Sequence, residues 1–408
     1  MLGDTRVLSL FRFLAVLLVA MVVVRVAWIS DDALITLRSA LNITHNWGPG
    51  FNATESVQAY THPLWFLLWV WVGSWTNQWM LGIIALSVIF VIIATSLLVA
   101  RAASLARLII VVAFLLMSNA FIDFTTSGLE NPLAYAGVAV LITISFRPYG
   151  NGNAPWWWAA ALGLTAAAIV LVRMDLITLV AIPLAMLIWQ YRRDIPCALV
   201  VGLAAFTAPL LVWFTWTYLT YSAVLPNTFA AKTNAQIPRS EFIVQGLRYL
   251  WVSFENDPIT MIGLAVGIGL GIALGPRMLR GWALGALTYL LYVVWIGGDF
   301  MGGRFLAVPF FVAIFVIAAS PVTVGGATRS DEPTPQLAPV AGAVATVALL
   351  LIATQFAGIR TTAFENPQEQ RWEVDQNFNA GIVDARGSSV ADGDGLKGFV
   401  DKLSLAFV

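Results

Sequence analysis

The sequence predicts an all-α polytopic membrane protein, with about 11 transmembrane helices and an interfacial or re-entrant helix in the first outer loop. Hydrophobic residues make up 59% of the 408-residue chain and charged residues only 11%, whereas soluble domains carry about 25% charged residues. Apolar stretches of roughly 17 to 25 residues, long enough to cross a bilayer, recur along most of the chain. Together these observations exclude a water-soluble fold.

In chain order, the predicted spans lie near residues 8–28, 79–100, 107–122, 132–146, 156–172, 176–191, 197–216, 259–275, 281–296, 305–320 and 338–357. The first span follows two arginines, as a signal peptide would, but it is too long and lacks a small-residue cleavage site. We therefore interpret it as a retained helix. The stretch from Pro63 to Trp75 is short for a span and rich in tryptophan, which is typical of an interfacial or re-entrant helix.

Arginines in the short loops predict the orientation, because cytoplasmic loops are enriched in basic residues. They collect on one face of the membrane if Pro63–Trp75 does not cross, and that face is predicted to be cytoplasmic. The outer face then receives the loops at 29–78, 123–131, 173–175, 217–258 and 297–304. Two units follow: a transmembrane domain over residues 1–357 and a short extracytoplasmic tail over residues 358–408.

The first outer loop opens with two adjacent acids, Asp31 and Asp32, directly after Ser30. One interpretation is structural, since serine caps helix N-termini and the helix dipole favours acids in the first turn. Two acids at a membrane boundary carry a desolvation cost, however, and this favours a functional role. Arg38 follows two helical turns after Asp31, on the same predicted helix face.

Both histidines of the chain, His45 and His62, lie in this same loop, where either could donate to a phosphate or orient a sugar hydroxyl. Further polar clusters are predicted on the same face of the membrane. They are Glu130 in SGLEN, Arg173 and Asp175 in VRMD, Asn227 and Lys232 in LPNTFAAK, and Asp299 and Arg304 in GGDFMGGR. The pairs Arg173–Asp175 and Asp299–Arg304 have a structural alternative, as simple ion pairs.

This combination of residues predicts group transfer from a lipid phosphate. A carboxylate can deprotonate an acceptor hydroxyl, and neighbouring cations can stabilise a leaving phosphate. A lipid-linked glycan transporter is the alternative from another class, but it would place charges at mid-span and show internal repeats. Acidic and basic residues balance at 22 each, so no excess of positive charge indicates nucleic acid as a partner.

A series of features in order, over about residues 25 to 310, carries a resemblance to a known family: the acid pair after the first span, YTHPLW, SGLENPL, the RxD of VRMD at an outer span end, PNTFAAK and GGDFMGGRFL. The chain resembles the GT-C membrane glycosyltransferases, and most closely the AftB type of terminal β-(1→2)-arabinofuranosyltransferase. The resemblance implies a GT-C-type bundle in the plasma membrane with its active site on the extracytoplasmic face. It also implies decaprenylphosphoryl-arabinose as the lipid donor and the arabinan of arabinogalactan and lipoarabinomannan as acceptor.

The residue patterns and the resemblance together predict a role for each candidate residue. The catalytic residues would be Asp31 and Asp32. Contacts to the donor phosphate or sugar would come from Arg38, His62, Asn227, Lys232 and Arg304. Acceptor or supporting contacts would come from His45, Glu130, Arg173, Asp175 and Asp299.

Several alternatives stay open at this level. The acid could act as base or as nucleophile, and a polyprenylphosphate-mannose transferase of the same fold would use similar motifs. No cofactor is predicted to be required, although Asp31, Asp32 and Glu130 could bind a divalent cation. Larger members of the family continue with an extracytoplasmic carbohydrate-binding domain, for which the tail at 358–408 is too short.

Overall fold

The computed structural model describes residues 2–52, 54–147, 155–191, 196–226 and 237–321, and these residues are helical with no β-strand among them. The helices are α1 (Leu2–Arg25), α2 (Asp31–Thr44), α3 (Pro63–Thr76), α4 (Trp79–Val99), α5 (Leu105–Met117), α6 (Asn119–Thr126), α7 (Asn131–Ser145), α8 (Trp156–Val172), α9 (Ile177–Tyr191), α10 (Pro196–Tyr221), α11 (Arg239–Asn256), α12 (Pro258–Leu274), α13 (Arg277–Trp295) and α14 (Arg304–Ala319). A 3₁₀ turn, Met174–Leu176, precedes α9.

Four of the described helices are long and apolar enough to cross a membrane: α1 from Arg6, α4, α10 from Ala198, and α13. Two bent pairs raise the number to six if each pair forms one span, namely α5 with α6, bent by 65°, and α11 with α12, bent by 111°. Helices α7, α8, α9 and α14 are apolar but shorter. The chain is therefore a multi-pass membrane protein by the length and composition of its helices.

Nine of the ten predicted spans up to 305–320 each overlap one apolar helix, and Pro63–Trp75 coincides with α3. The predicted span at 107–122 instead covers two helices, α5 and α6, which meet at a bend of 65°. The total of 11 spans stays a prediction, because four to six helices meet the length criterion. The predicted span at 338–357 and the tail at 358–408 lie outside the described residues, and so does the predicted boundary between them.

The core of the described bundle is α14, which packs against α5, α6, α7, α12 and α13. Its side chains from Leu306 to Ala318 are buried. An apolar helix that is buried on all sides occupies the interior of a bundle. The N-terminal residue of this helix, Arg304, is thereby held at one end of the core.

One carboxylate joins the two bends. Asp257, between α11 and α12, accepts hydrogen bonds from the backbone N–H of Thr260 (3.1 Å) at the start of α12 and of Ala120 (2.8 Å) at the start of α6. The first N–H groups of a helix lack partners within the helix, so an acid there satisfies them. The contact fixes α6, whose C-terminal end leads into residues 127–130.

Candidate active site

The loop at 127–130 is clamped between α2 and α3. The Ser30 N–H donates to the Ser127 carbonyl at 2.8 Å, and Trp65 Nε1 donates to the Gly128 carbonyl at 2.8 Å. Gly128 has φ +77°, and a Cβ atom added there would lie 2.7 Å from the Cβ of Ala33. Only glycine fits this left-handed position so close to α2. The clamp brings the next charged residue, Glu130, beside the N-terminus of α2.

The N-terminus of α2 separates the two adjacent acids. Ser30 caps the helix and accepts from the Ala33 N–H at 3.3 Å, which confirms the predicted helix start. Asp31 is exposed, and its carboxylate accepts from the Asp32 N–H at 2.8 Å. Asp32 instead points toward the core and lies 3.2 Å from the guanidinium of Arg304. Its side chain keeps 29% of its surface exposed, so it remains reachable from outside the bundle.

Glu130 lies at the centre of the charged cluster and is only 1% exposed. Its carboxylate is 3.5 Å from Arg304, 3.6 Å from Arg173 and 3.4 Å from His62. Burial would raise the pKa of this carboxyl, but the charges of Arg304 and Arg173, and of His62 at the low pH at which it is protonated, outweigh burial and lower the pKa to about 2. Glu130 is therefore ionised and ties the two arginines together.

Arg173 is saturated by protein partners. Its guanidinium donates to Asp175 at 2.6 Å, to the amide oxygen of Asn131 at 3.1 Å and to the hydroxyl of Tyr289 at 2.6 Å. The Tyr289 hydroxyl in turn donates to Asp175 at 2.6 Å, and the ring of Phe305 stacks 4.8 Å from the guanidinium. The predicted alternative of an Arg173–Asp175 ion pair is thus observed, and it braces one side of Glu130.

Arg304 is the more available cation. It reaches three carboxylates: Asp32 at 3.2 Å, Glu130 at 3.5 Å and Asp299 at 3.8 Å. Its side chain is 12% exposed, and its Nε is buried without a hydrogen-bond partner. The predicted Asp299–Arg304 pair is therefore one contact within a larger cluster. Arg304 holds donor capacity that the protein does not use.

His62 precedes α3 and is buried. Its Nε2 lies 2.7 Å from the hydroxyl of Thr36, which is one helical turn after Asp32 on α2. Burial lowers the pKa of His62 to about 4; the charge of Glu130 raises it again in part, while both arginines lower it. The imidazole is neutral at pH 7, with Thr36 and Glu130 on its two sides.

Negative charge is in excess within the cluster. Four carboxylates face two guanidinium groups: Asp32, Glu130, Asp175 and Asp299 against Arg173 and Arg304. Asp32 is the most exposed of these acids. Burial raises the pKa of Asp32, Arg304 lowers it in part, and the neighbouring acids raise it further. A raised pKa is typical of a carboxylate that accepts a proton during a reaction.

Some of the predicted residues do not join the cluster. Arg38 donates to the Phe51 carbonyl at 3.0 Å and stacks on the Phe51 ring. His45 is exposed and lies 2.8 Å from the Leu41 carbonyl. Asn227 and Lys232 lie outside the described residues. Within the described ranges no group of three or more His, Cys, Asp or Glu residues is arranged to hold a metal ion, and the divalent cation stays a prediction.

The structure adds residues that the sequence did not indicate, chiefly Thr36 and Tyr289, and it identifies Asn131 of the SGLEN cluster as a partner of Arg173. Thr36 follows Asp32 by four residues, a spacing that places both on one face of a helix. Tyr289 lies in the apolar helix α13, where a buried hydroxyl needs a hydrogen-bond partner. Both signals were present in the sequence, but neither identified the residue that Thr36 or Tyr289 contacts in the folded protein.

An apolar cavity of about 280 Å³ lies among α8, α9 and α10. Its lining includes Leu162, Ile177, Leu184, Leu203 and Phe206. Ile177 is two residues after Asp175 of the cluster, while Leu203 is exposed at the surface of the bundle. Ile177 is thus the lining residue next to the cluster in sequence, while the rest of the lining lies farther along α8, α9 and α10.

The fold and the cluster define a multi-pass membrane protein with a buried acid–base site at the ends of its helices. The chain is similar to two curated proteins, both named terminal beta-(1->2)-arabinofuranosyltransferase. The protein of Mycobacterium tuberculosis is 29% identical over 339 residues, which cover 72% of this chain and 53% of the relative. The protein of Corynebacterium glutamicum is 28% identical over 343 residues, which cover 73% and 48%.

These relatives confirm the resemblance that the motifs indicated. The chain spans about half the length of the curated relatives it matches. No family model matches the chain. No solved structure matches it either.

Proposed function

We propose that this chain is a GT-C-type arabinofuranosyltransferase of the plasma membrane. It transfers arabinofuranose from decaprenylphosphoryl-arabinose to the ends of arabinan chains in arabinogalactan and lipoarabinomannan, on the extracytoplasmic face. The observation that carries the proposal is the contact between Asp32 and Arg304, a reachable acid 3.2 Å from a cation with unused donor capacity. The names of the two relatives support arabinose as the sugar.

Asp32 rather than Asp31 is the proposed catalytic acid. Asp31 is exposed and serves the first turn of α2, whereas Asp32 enters the cluster and has a raised pKa. A carboxylate with a raised pKa is a better base near neutral pH. Asp32 acts either as the base that takes the acceptor hydroxyl proton or as the nucleophile at the anomeric carbon.

Arg304 is the proposed phosphate contact, because its Nε–H has no partner among the residues that the structure describes, and guanidinium N–H groups bind phosphate oxygens through charge-assisted hydrogen bonds. Glu130, Arg173 and Asp175 keep that guanidinium in place. The neutral His62 supports Glu130 and α2 instead of acting as a charged phosphate ligand. Further donor contacts are proposed for Arg38, Asn227 and Lys232, and an acceptor contact for His45; these four assignments rest on the sequence alone.

The apolar cavity suits the hydrocarbon chain of the donor. Its described lining offers almost no polar group, so an isoprenoid chain can enter it from the bilayer without contact with unpaired polar groups. Because Ile177 of the lining follows Asp175 of the cluster by two residues, we propose that one lipid binds with its phosphate at the cluster and its chain extending into the cavity.

The test is arabinose transfer by the full chain in nanodiscs, from synthetic decaprenylphosphoryl-arabinose to an arabinan oligosaccharide. We expect Asp32→Asn to lose about 100-fold or more of the rate, the usual size of an acid–base contribution. The matched control Asp31→Asn, one residue away, is expected to stay within about threefold of the unsubstituted protein, because Asp31 is outside the cluster.

Full activity of Asp32→Asn would reject the assigned acid. Transfer of mannose from polyprenylphosphate-mannose, with no transfer of arabinose, would instead select the mannosyltransferase of the same fold. Both donors are therefore offered to the same preparation.

A further inference from the structure

Helix α11 carries an exposed apolar stripe. Leu247 is 55% exposed and Trp251 is 63% exposed, and Val244 and Phe254 are exposed as well. These four residues follow one another at spacings of three, four and three, so they form a single line along the helix. Contiguous exposed apolar surface of this kind marks a binding face.

The other faces of α11 have different partners. Gly246, Tyr249 and Val252 are buried against the rest of the bundle. The charged residues Glu241, Arg248 and Glu255 are exposed and form a separate line at spacings of seven. At 100° per residue, the apolar line lies opposite the buried face, and the charged line lies between them, about 80° around the helix from the apolar line. Helix α11 thus has three faces: one packs against the bundle, one is charged, and one is apolar and exposed.

The position of α11 places this stripe at one end of a spanning helix. A Cβ atom added at Gly246 would lie 2.3 Å from the carbonyl oxygen of Val294, so α11 crosses the last turn of α13 in close contact. Helix α13 is long and apolar enough to span the membrane. The bend of 111° between α11 and α12 gives the two helices very different directions. Helix α11 is therefore steeply inclined to α12 and lies against the C-terminal end of α13.

We propose that α11 is an interfacial helix whose apolar stripe binds the lipid surface, with its charged line facing water. It is then neither half of a broken span nor a re-entrant segment. The apolar stripe contacts the boundary between lipid headgroups and acyl chains, where amphipathic helices bury their apolar face. Trp251 fits this layer, because its Nε1 donates to Glu255 at 2.7 Å while its ring stays exposed.

The buried face of α11 links the lipid surface to the candidate site. The Tyr249 hydroxyl donates to the Met301 carbonyl at 3.3 Å and accepts from the Phe305 N–H at 3.4 Å. These contacts hold the loop that contains Asp299 and leads to Arg304. Binding of α11 to the lipid surface thereby positions the Arg304 end of the cluster. This binding does not depend on which reaction the site performs.

The experiment measures the depth of spin labels on the full chain in phosphatidylcholine and phosphatidylglycerol nanodiscs. Cys197 is the single cysteine, so Cys197→Ala provides the background for labels at Leu247→Cys and Trp251→Cys. Labels at Glu241→Cys and Arg248→Cys are the matched controls on the charged line. Collision rates with oxygen, which concentrates in lipid, are compared with those of a water-soluble nickel complex.

We expect the labels at 247 and 251 to favour oxygen and the labels at 241 and 248 to favour the nickel complex. Equal access of all four labels to the nickel complex would overturn the proposal, since the stripe would then face water. Spin–spin broadening at 247 and 251 would overturn it in favour of a second copy of the chain. Protection from both reagents would indicate cover by another segment. Phe254→Cys and Glu255→Cys form a second matched pair if a variant is not monodisperse.

Discussion

His62 shows how burial changes the chemistry of a single residue. A histidine close to a carboxylate is usually charged, but complete burial and two nearby arginines oppose that charge and lower the pKa of His62. The neutral ring can link Thr36 with Glu130 without adding a third cation to the cluster. Its contribution is therefore to the geometry around Asp32, and it depends on pH.

The predicted pH dependence follows from the direction of this shift. The pKa of His62 falls from 6.5 to about 4 on folding, so between these values the unfolded chain binds a proton that the folded chain does not. The resulting stability is present above pH 6.5 and is lost as pH falls toward 4. The full shift corresponds to about 3 kcal/mol.

Thermal unfolding of the full chain in nanodiscs, followed between pH 7 and pH 4, measures this loss. We expect His62→Gln to remove part of the acid sensitivity in that window. His45→Gln should leave it unchanged, because His45 is exposed and outside the cluster. Identical acid sensitivity of the His62 variant and the unsubstituted protein would contradict the account.

Individual residues also show what the sequence could predict. Ser30 was recognised as a helix cap and Arg173 as the partner of Asp175, because both signals are local. The central place of Glu130 could not be predicted, since it depends on Trp65 and Ser30 reaching the loop from other elements. Tyr289 could not be paired with Arg173 either, because 116 residues separate them.

At the scale of elements, the turn before Glu130 is the critical piece. Gly128→Ala would force a side chain into a left-handed backbone and against Ala33. We expect a loss of about 1 to 3 kcal/mol of stability, with a lower melting temperature and reduced transfer as Glu130 moves. Gly269→Ala in α12 is the matched control, because a Cβ atom there meets nothing within 4 Å.

The control should be neutral or slightly stabilising, since alanine favours helix over glycine. If both glycine variants melt at the same temperature, a side chain at position 128 does not strain the turn, and the prediction is wrong.

The positions of the helices were predicted well from apolar runs of the right length. The bends at Ser118 and Asp257 were not, because one carboxylate capping two distant helices leaves no periodic signal in the sequence.

At the scale of the whole molecule, the account requires the cluster to face the outside of the cell. Basic residues in the short loops predict that side, and labelling of cysteines in intact cells checks it. In a Cys197→Ala background, Ser56→Cys lies in the exposed first loop and Ala103→Cys lies in the exposed turn between α4 and α5.

An impermeant maleimide should label residue 56 in intact cells and residue 103 only after permeabilisation. The reverse pattern would place the cluster in the cytoplasm, where the proposed extracytoplasmic transfer would be impossible. This experiment tests orientation independently of activity, since it needs no donor or acceptor.

The most direct measurement is a structure of the full chain in nanodiscs with a non-transferable phosphonate analogue of decaprenylphosphoryl-arabinose. The account predicts phosphonate oxygens within hydrogen-bonding distance of Arg304 and the sugar facing Asp32. The hydrocarbon chain should enter the cavity lined by Leu162, Leu184 and Phe206. Binding of the phosphonate away from Arg304, with the cluster unchanged and no sugar near Asp32, would contradict the central claim.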